Sequence, residues 1–87
     1  MIETLVGQKV VIDFNSSFVC LGKLHAFDDS FFELVDADLH DLRDTQTTRD
    51  SYVAASKRTG IRPNRKKLLI ARREVVAIGR FKDVIEE

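Results

Sequence analysis

The sequence has one cysteine, one proline, four glycines and no tryptophan in 87 residues. A single cysteine excludes an internal disulfide, and the neighbours of Cys20, Val19 and Leu21, mark it as a small packed hydrophobe; no histidine adjoins it to make it a nucleophile. With so few glycines there is no Gly-rich phosphate loop. No apolar run approaches the roughly 18 residues a membrane span needs, and Met1 to Thr4 lacks the basic-then-apolar order of a signal peptide. A cytoplasmic protein without membrane contact is therefore expected. A composition of 44% hydrophobic and 32% charged residues excludes a disordered chain. This length suits one modest core and not two, so residues 1–87 are read as a single domain.

The formal charge is zero, but the charges are segregated. Asp28 to Asp50 holds eight acids against Arg43 and Arg49, whereas Lys57 to Lys82 holds ten bases against Glu74 alone. Such asymmetry fits a nucleic-acid surface, and equally two faces that pair within or between subunits.

Hydrophobic alternation organises the first half. Lys9 to Phe14 places Val10, Ile12 and Phe14 on one face and Val11 and Asp13 on the other, the pattern of a half-buried strand. Asn15-Ser16-Ser17 then turns the chain into a second, longer strand, Phe18 to Phe27, in which Gly22 marks a sharp bend or a close backbone approach. Asp28-Asp29-Ser30 makes a second tight connection. Phe31 to Asp36 follows as the third strand, with Phe32 and Leu34 inward and Glu33 outward.

The second half mixes signals. Thr47-Thr48-Arg49-Asp50 approximates a capping box with Thr47 as the cap, which predicts a helix over residues 48–58 stopped by Gly60. Tyr52 and Ala55 form its narrow apolar stripe. Ile61 to Lys67 reads as a basic loop in which Pro63 blocks helix continuation. Leu68 to Ala71 and Val75 to Ile78 are strands four and five, separated by Arg72-Arg73-Glu74. Met1 to Gly7 is a lead-in of one helical turn, and the tail from Gly79 supplies Phe81, Val84 and Ile85 for packing without a definable element.

Val10, Ile12 and Phe14, then Gly22, Leu24, Phe27 and Asp28, and finally Ile70, Val75 and Ile78 resemble the two motifs of the Sm and Sm-like (Lsm) superfamily. The chain looks like a divergent, bacterial-type member with a helical insertion, about 38–67, between strands three and four. The resemblance covers Leu5 to Asp36 and Leu68 to Ile78. It implies a mainly β protein: a strongly bent five-stranded antiparallel sheet, a small open barrel, with subunits joined edge to edge into rings. The uncharged runs 68–71 and 75–78 agree, because bare apolar edges invite pairing with another chain. A ring-like homo-oligomer through those strands is expected; the alternative is a smaller assembly, such as a dimer, in which the inserted helix or the tail covers one edge.

Family members bind single-stranded, often uridine-rich RNA with an aspartate, a stacking side chain, an asparagine and an arginine. By resemblance Asp28 takes the aspartate position and Ser30 the stacking position, while Phe32 falls at the asparagine, Ala71 at the arginine and Arg72 at the glycine. A one-residue slip would put Glu33 at the asparagine. The familiar uridine pocket is thus expected to be missing while the scaffold persists. The expected RNA contacts are Asp28, Arg72, Arg73 and the basic residues Arg62, Arg65, Lys66 and Lys67, whose cations gain affinity by releasing counterions. Against this, no aromatic residue lies between Lys57 and Arg80 to stack bases.

Other constellations are weaker. Asp36, Asp38 and His40 share a side if the third strand continues, but a polar strand end explains them better than a metal site. His25 reads as a surface or interface histidine. No catalytic residue, metal or cofactor is predicted. The reading is a non-enzymatic Sm-like oligomer that binds single-stranded RNA through a non-standard site; the rival is a structural or protein-interaction oligomer that has lost RNA binding.

Overall fold

The computed structural model describes residues 1–86. A 3-10 turn, Ile2–Leu5, leads into five strands and one helix: β1 (Lys9–Phe14), β2 (Phe18–Phe27), β3 (Phe31–Asp41), α1 (Arg49–Thr59), β4 (Arg65–Ala71) and β5 (Val75–Arg80). The strands make one antiparallel sheet in the order β4-β3-β2-β1-β5. β4 and β5 therefore lie at opposite edges, yet only the 3-10 turn Arg72–Glu74 joins them. Four strand-to-strand steps in a flat sheet would separate the edges by about 19 Å, whereas the link from Ala71 to Val75 reaches about 14 Å at full extension. The sheet must curl into an open barrel.

That curl makes one core from distant strands. Val10 and Ile12 of β1, Cys20 and Leu24 of β2, Phe32, Leu34 and Ala37 of β3 and Ile70 of β4 form a buried cluster, with Ile2 and Leu5 of the first turn packed against it. The bend has two visible causes. A Cβ at Gly22 would meet the Ala37 Cα at 3.0 Å, so only glycine lets the two backbones approach. Beside it the β2–β3 register shifts between Leu21 and Lys23, where β3 carries the extra residue and Asp36 adopts φ 49°, a left-handed conformation that aspartate tolerates.

Several expected boundaries move. β3 does not stop at Asp36: past the bulge it continues to Asp41, pairing with Phe18 to Leu21. β4 starts at Arg65, so Arg65, Lys66 and Lys67 belong to an edge strand and not to a loop. The segment 38–67 therefore adds to the sheet at both ends. Helix α1 is capped by Thr48, whose hydroxyl accepts from the Ser51 N–H at 3.1 Å; Thr47 instead bonds Thr45. Its most buried anchor is Val53, packed against Val19 and Leu21 on the outer face of the sheet; Tyr52 of the expected stripe packs against the same cluster, while Ala55 is not part of it. Phe81 and Val84 of the tail pack on the same outer cluster, and Phe81–Asp83 forms a last 3-10 turn. Among the described residues, no helix is long and apolar enough to cross a membrane.

Candidate nucleic-acid interface

The turn between β2 and β3 is built by Asp28. Its carboxylate accepts from the backbone N–H groups of Ser30 at 2.8 Å and Phe31 at 2.7 Å, while its own N–H donates to the Phe31 carbonyl at 3.0 Å. Those two backbone donors, with the nearby Arg72 charge as a lesser cause, hold the Asp28 carboxyl below the usual carboxylate range.

Strand pairing brings Arg72 to this turn. Phe31 lies opposite Ala71 in the β3–β4 register, so the next residue of the chain emerges beside Ser30, whose carbonyl accepts from the Arg72 N–H at 2.9 Å. The Arg72 guanidinium then donates to the Asp28 carbonyl at 2.6 Å and sits 4.9 Å from the Phe32 ring centroid and 5.9 Å from that of Phe27. A planar cation laid against rings and held by a fixed hydrogen bond is pre-organised in a way a lysine is not. Asp28 and Arg72 are thus one unit.

The aromatic residues missing from the basic segment come from elsewhere. Phe27 and Phe31, 37% and 43% exposed, flank the same turn from β2 and β3. Neither is among the RNA contacts expected from the sequence, where Phe27 is only a motif residue and the basic segment has no ring of its own; the signal available is their adjacency to the Asp28-Asp29-Ser30 turn. Phe32 is only 2% exposed and lies in the core, so no amide or other polar group stands at that position. Glu33 lies opposite Leu69 and pairs with Lys67 at 3.6 Å, and it too offers no amide.

The remaining expected contacts fall into two places. Arg73 is exposed in the same turn as Arg72. Arg65 and Lys67 lie opposite Ala37 and Val35, at the other end of β4. Six residues of strand separate Arg65 from Ala71, about 20 Å, so the Asp28–Arg72 unit and the Arg62 to Lys67 group are distinct zones. Lys67 is partly neutralised by Glu33, whereas Arg62 and Lys66 are exposed.

Part of the acidic segment is occupied internally. Asp38 accepts from the Tyr52 hydroxyl and from Asn64 Nδ2 at 3.3 Å, and His40 stacks on the Tyr52 ring at 4.2 Å, so Asp36, Asp38 and His40 do not converge on a common point. Asp41 accepts from the Arg43 guanidinium and backbone and from Ser17; these bonds hold its carboxyl far below the ordinary range. Burial, with Asp38 adding a like charge, pushes the Cys20 thiol up to about 12, which leaves it protonated and inert.

No family model matches the chain, and no curated protein matches it. Solved structures do. An Sm protein of Pyrococcus abyssii in complex with a uridine heptamer superposes with a TM-score of 0.63 at 18% identity, covering 91% of this chain and 90% of that one. An Sm-like protein from Archaeoglobus fulgidus gives 0.59 at 18% identity, covering 92% and 88%. A chain of the NatC complex bound to CoA gives 0.58 at 14% identity, covering 90% and 80%. The fold is the Sm-like fold, a mainly β five-stranded antiparallel sheet with one helix.

Proposed function

We propose that the protein is a non-enzymatic Sm-like oligomer that binds single-stranded RNA at the Asp28–Arg72 turn rather than in an amide-lined uridine pocket, the whole chain acting as one domain with 38–67 as its elaboration. The observation that carries this reading is the Arg72 guanidinium, bonded to the Asp28 carbonyl and laid against the rings of Phe32 and the part-exposed Phe27, in a turn that also carries the part-exposed Phe31. Rings and a fixed guanidinium plane are what unpaired bases stack on. The uridine heptamer bound by the Pyrococcus protein of the same fold supports the ligand class. Self-association through β4 and β5 is supported by their place at the two sheet edges and by Leu69 and Val76, 58% and 69% exposed on them. Arg73, Arg62, Arg65, Lys66 and Lys67 add phosphate contacts on this reading.

The test is binding of labelled U-rich and A-rich single-stranded RNA at two salt concentrations, on protein of measured solution mass. Binding that weakens with salt and is lost in Arg72→Ala is expected, with a smaller loss when Arg62, Arg65, Lys66 and Lys67 become alanine. No binding at low salt sinks the RNA reading, and a monomeric mass sinks the oligomer.

A second reading has one specific support: the same fold occurs as a chain of the NatC complex. On that reading the apolar edges meet other proteins and the turn is only structural. An oligomeric wild-type protein with no detectable RNA binding at low salt would favour it.

A further inference from the structure

Lys9 and Lys23 stand directly opposite one another in the β1–β2 register. Cross-strand partners have Cβ atoms about 4.5–5.5 Å apart, and like charges in such a pair repel. Both residues are exposed, and among the described residues neither has a carboxylate within ion-pair distance. The row continues across the sheet: Lys23 lies opposite Val35 and Val35 opposite Lys67, which is shared with Glu33 at 3.6 Å and so ends the row as a partly neutralised cation. Three inter-strand steps make it about 14 Å long. It lies on the outer face, because Val11 and Leu21, two residues from Lys9 and Lys23, pack beneath α1 in the outer cluster. The helix covers one half of this face and leaves the lysine half open.

We propose that this outer lysine row, Lys9, Lys23 and Lys67, is a second anion-binding track that takes the phosphodiester backbone of a single-stranded nucleic acid by charge alone, independently of the bases. Repulsion between Lys9 and Lys23 is a stability cost that an external polyanion removes, and a linear array of cations across strands follows a chain of phosphates. Charge complementarity could also come from the acidic segment of a second copy. That source is the poorer fit, because Asp28, Glu33, Asp38 and Asp41, half of that segment's acids, are already bonded within their own chain, and a line of cations matches evenly spaced phosphates better than scattered carboxylates. The track lies apart from the turn at Asp28 and needs no stacking ring. It rests on the RNA reading only for the identity of the chain it follows.

The test uses an abasic oligonucleotide, which has the phosphates and no bases, in parallel with RNA of equal length. The wild-type protein is expected to bind the abasic chain and to melt at higher temperature in its presence. Lys9→Gln with Lys23→Gln should raise the melting temperature of the free protein, abolish the rise induced by the abasic chain, and flatten the salt dependence of log K for RNA by about 1.4, the effect of two single-strand phosphate contacts. Lys23→Glu separates binding from folding: it sets opposite charges face to face, so the free protein gains stability while binding is lost. Wild-type RNA binding without abasic binding overturns the track and leaves the turn at Arg72 standing. Abasic binding as tight as RNA binding and unaffected by Arg72→Ala leaves the track and removes the turn. Abasic binding that survives Lys23→Glu overturns the track, as does self-association, rather than oligonucleotide binding, that depends on Lys9 and Lys23.

Discussion

Gly22 and Ala37 approach so closely that a Cβ on Gly22 would stand 3.0 Å from the Ala37 Cα and 3.1 Å from its Cβ. Two backbones, not a flexible side chain, define this contact, so little can give way. It sits where β3 bulges at Asp36 and the sheet turns over its own core, which ties one missing side chain to the curl that brings β4 round to the Asp28 turn.

Gly22→Ala is expected to destabilise the protein by about 1–3 kcal/mol, the range for overpacking a tight core, and to lower the urea midpoint. An unchanged midpoint would show that the bend does not depend on the missing Cβ.

The helix start gives a sharper contrast between neighbours. Thr48 holds the cap bond to Ser51 and Thr47 does not. Thr48→Ala should cost about 1 kcal/mol, as cap losses do, and Thr47→Ala clearly less, read from denaturant curves of the two variants side by side.

Acid should weaken the fold through Asp28 and Asp41. Both carboxyls are held below their ordinary range by hydrogen bonds, so their contribution is complete above the unfolded value of about 3.9 and fades as pH falls through the folded values. Stability should decline with acidification below about pH 4, with a shallower slope in Asp41→Asn. Equal slopes in wild type and variant would show that the Arg43 and Ser17 bonds to Asp41 are not maintained in solution.

Arg72→Lys keeps the charge and discards the plane. An ammonium cannot both lie flat against Phe32 and hold the fixed donor geometry at the Asp28 carbonyl. RNA affinity is expected to fall about tenfold, the scale of one lost stacking contact. If Arg72→Lys binds like wild type, charge alone accounts for the turn.

The thiol of Cys20, fully buried and with its pKa pushed up to about 12, should label only as fast as the protein opens. Modification by a thiol reagent in native buffer is expected to be slow and to accelerate across the urea transition. Rapid labelling of the native protein would contradict the packed inner face.

The first two strands were legible to the residue, because Val10, Ile12, Phe14 and the run from Phe18 to Phe27 carry alternation between turn residues that end it. Gly22 was legible as a close approach, though not its partner. β3 runs past its expected end at Asp36, where Asp36, Asp38 and His40 read as a polar strand end: pairing with β2 outweighs local polarity there, and the bulge at Asp36 absorbs the mismatch. β4 was begun late for a related reason. Lysine and arginine at a strand start look like a loop, yet charged residues are common on sheet edges, where they discourage unwanted pairing.

The candidate site was legible only in pieces. Asp28 and Arg72 were each singled out, but their hydrogen bond spans 44 residues and depends on Phe31 facing Ala71 across two strands. Phe27 and Phe31 joined them for the same reason, and the Arg62 to Lys67 group separated from them because a strand holds it about 20 Å away.

The sequence by itself determined the strand periodicity, the turn chemistry and the inward set of side chains, since these depend on neighbours two to four positions apart. Tertiary structure alone decided which distant groups meet. Register places Lys9 against Lys23 and Arg72 against Asp28, and the curl of a sheet whose edges are joined by three residues sets what stands beside them. Those are long-range consequences of closing a barrel, and no local pattern encodes them.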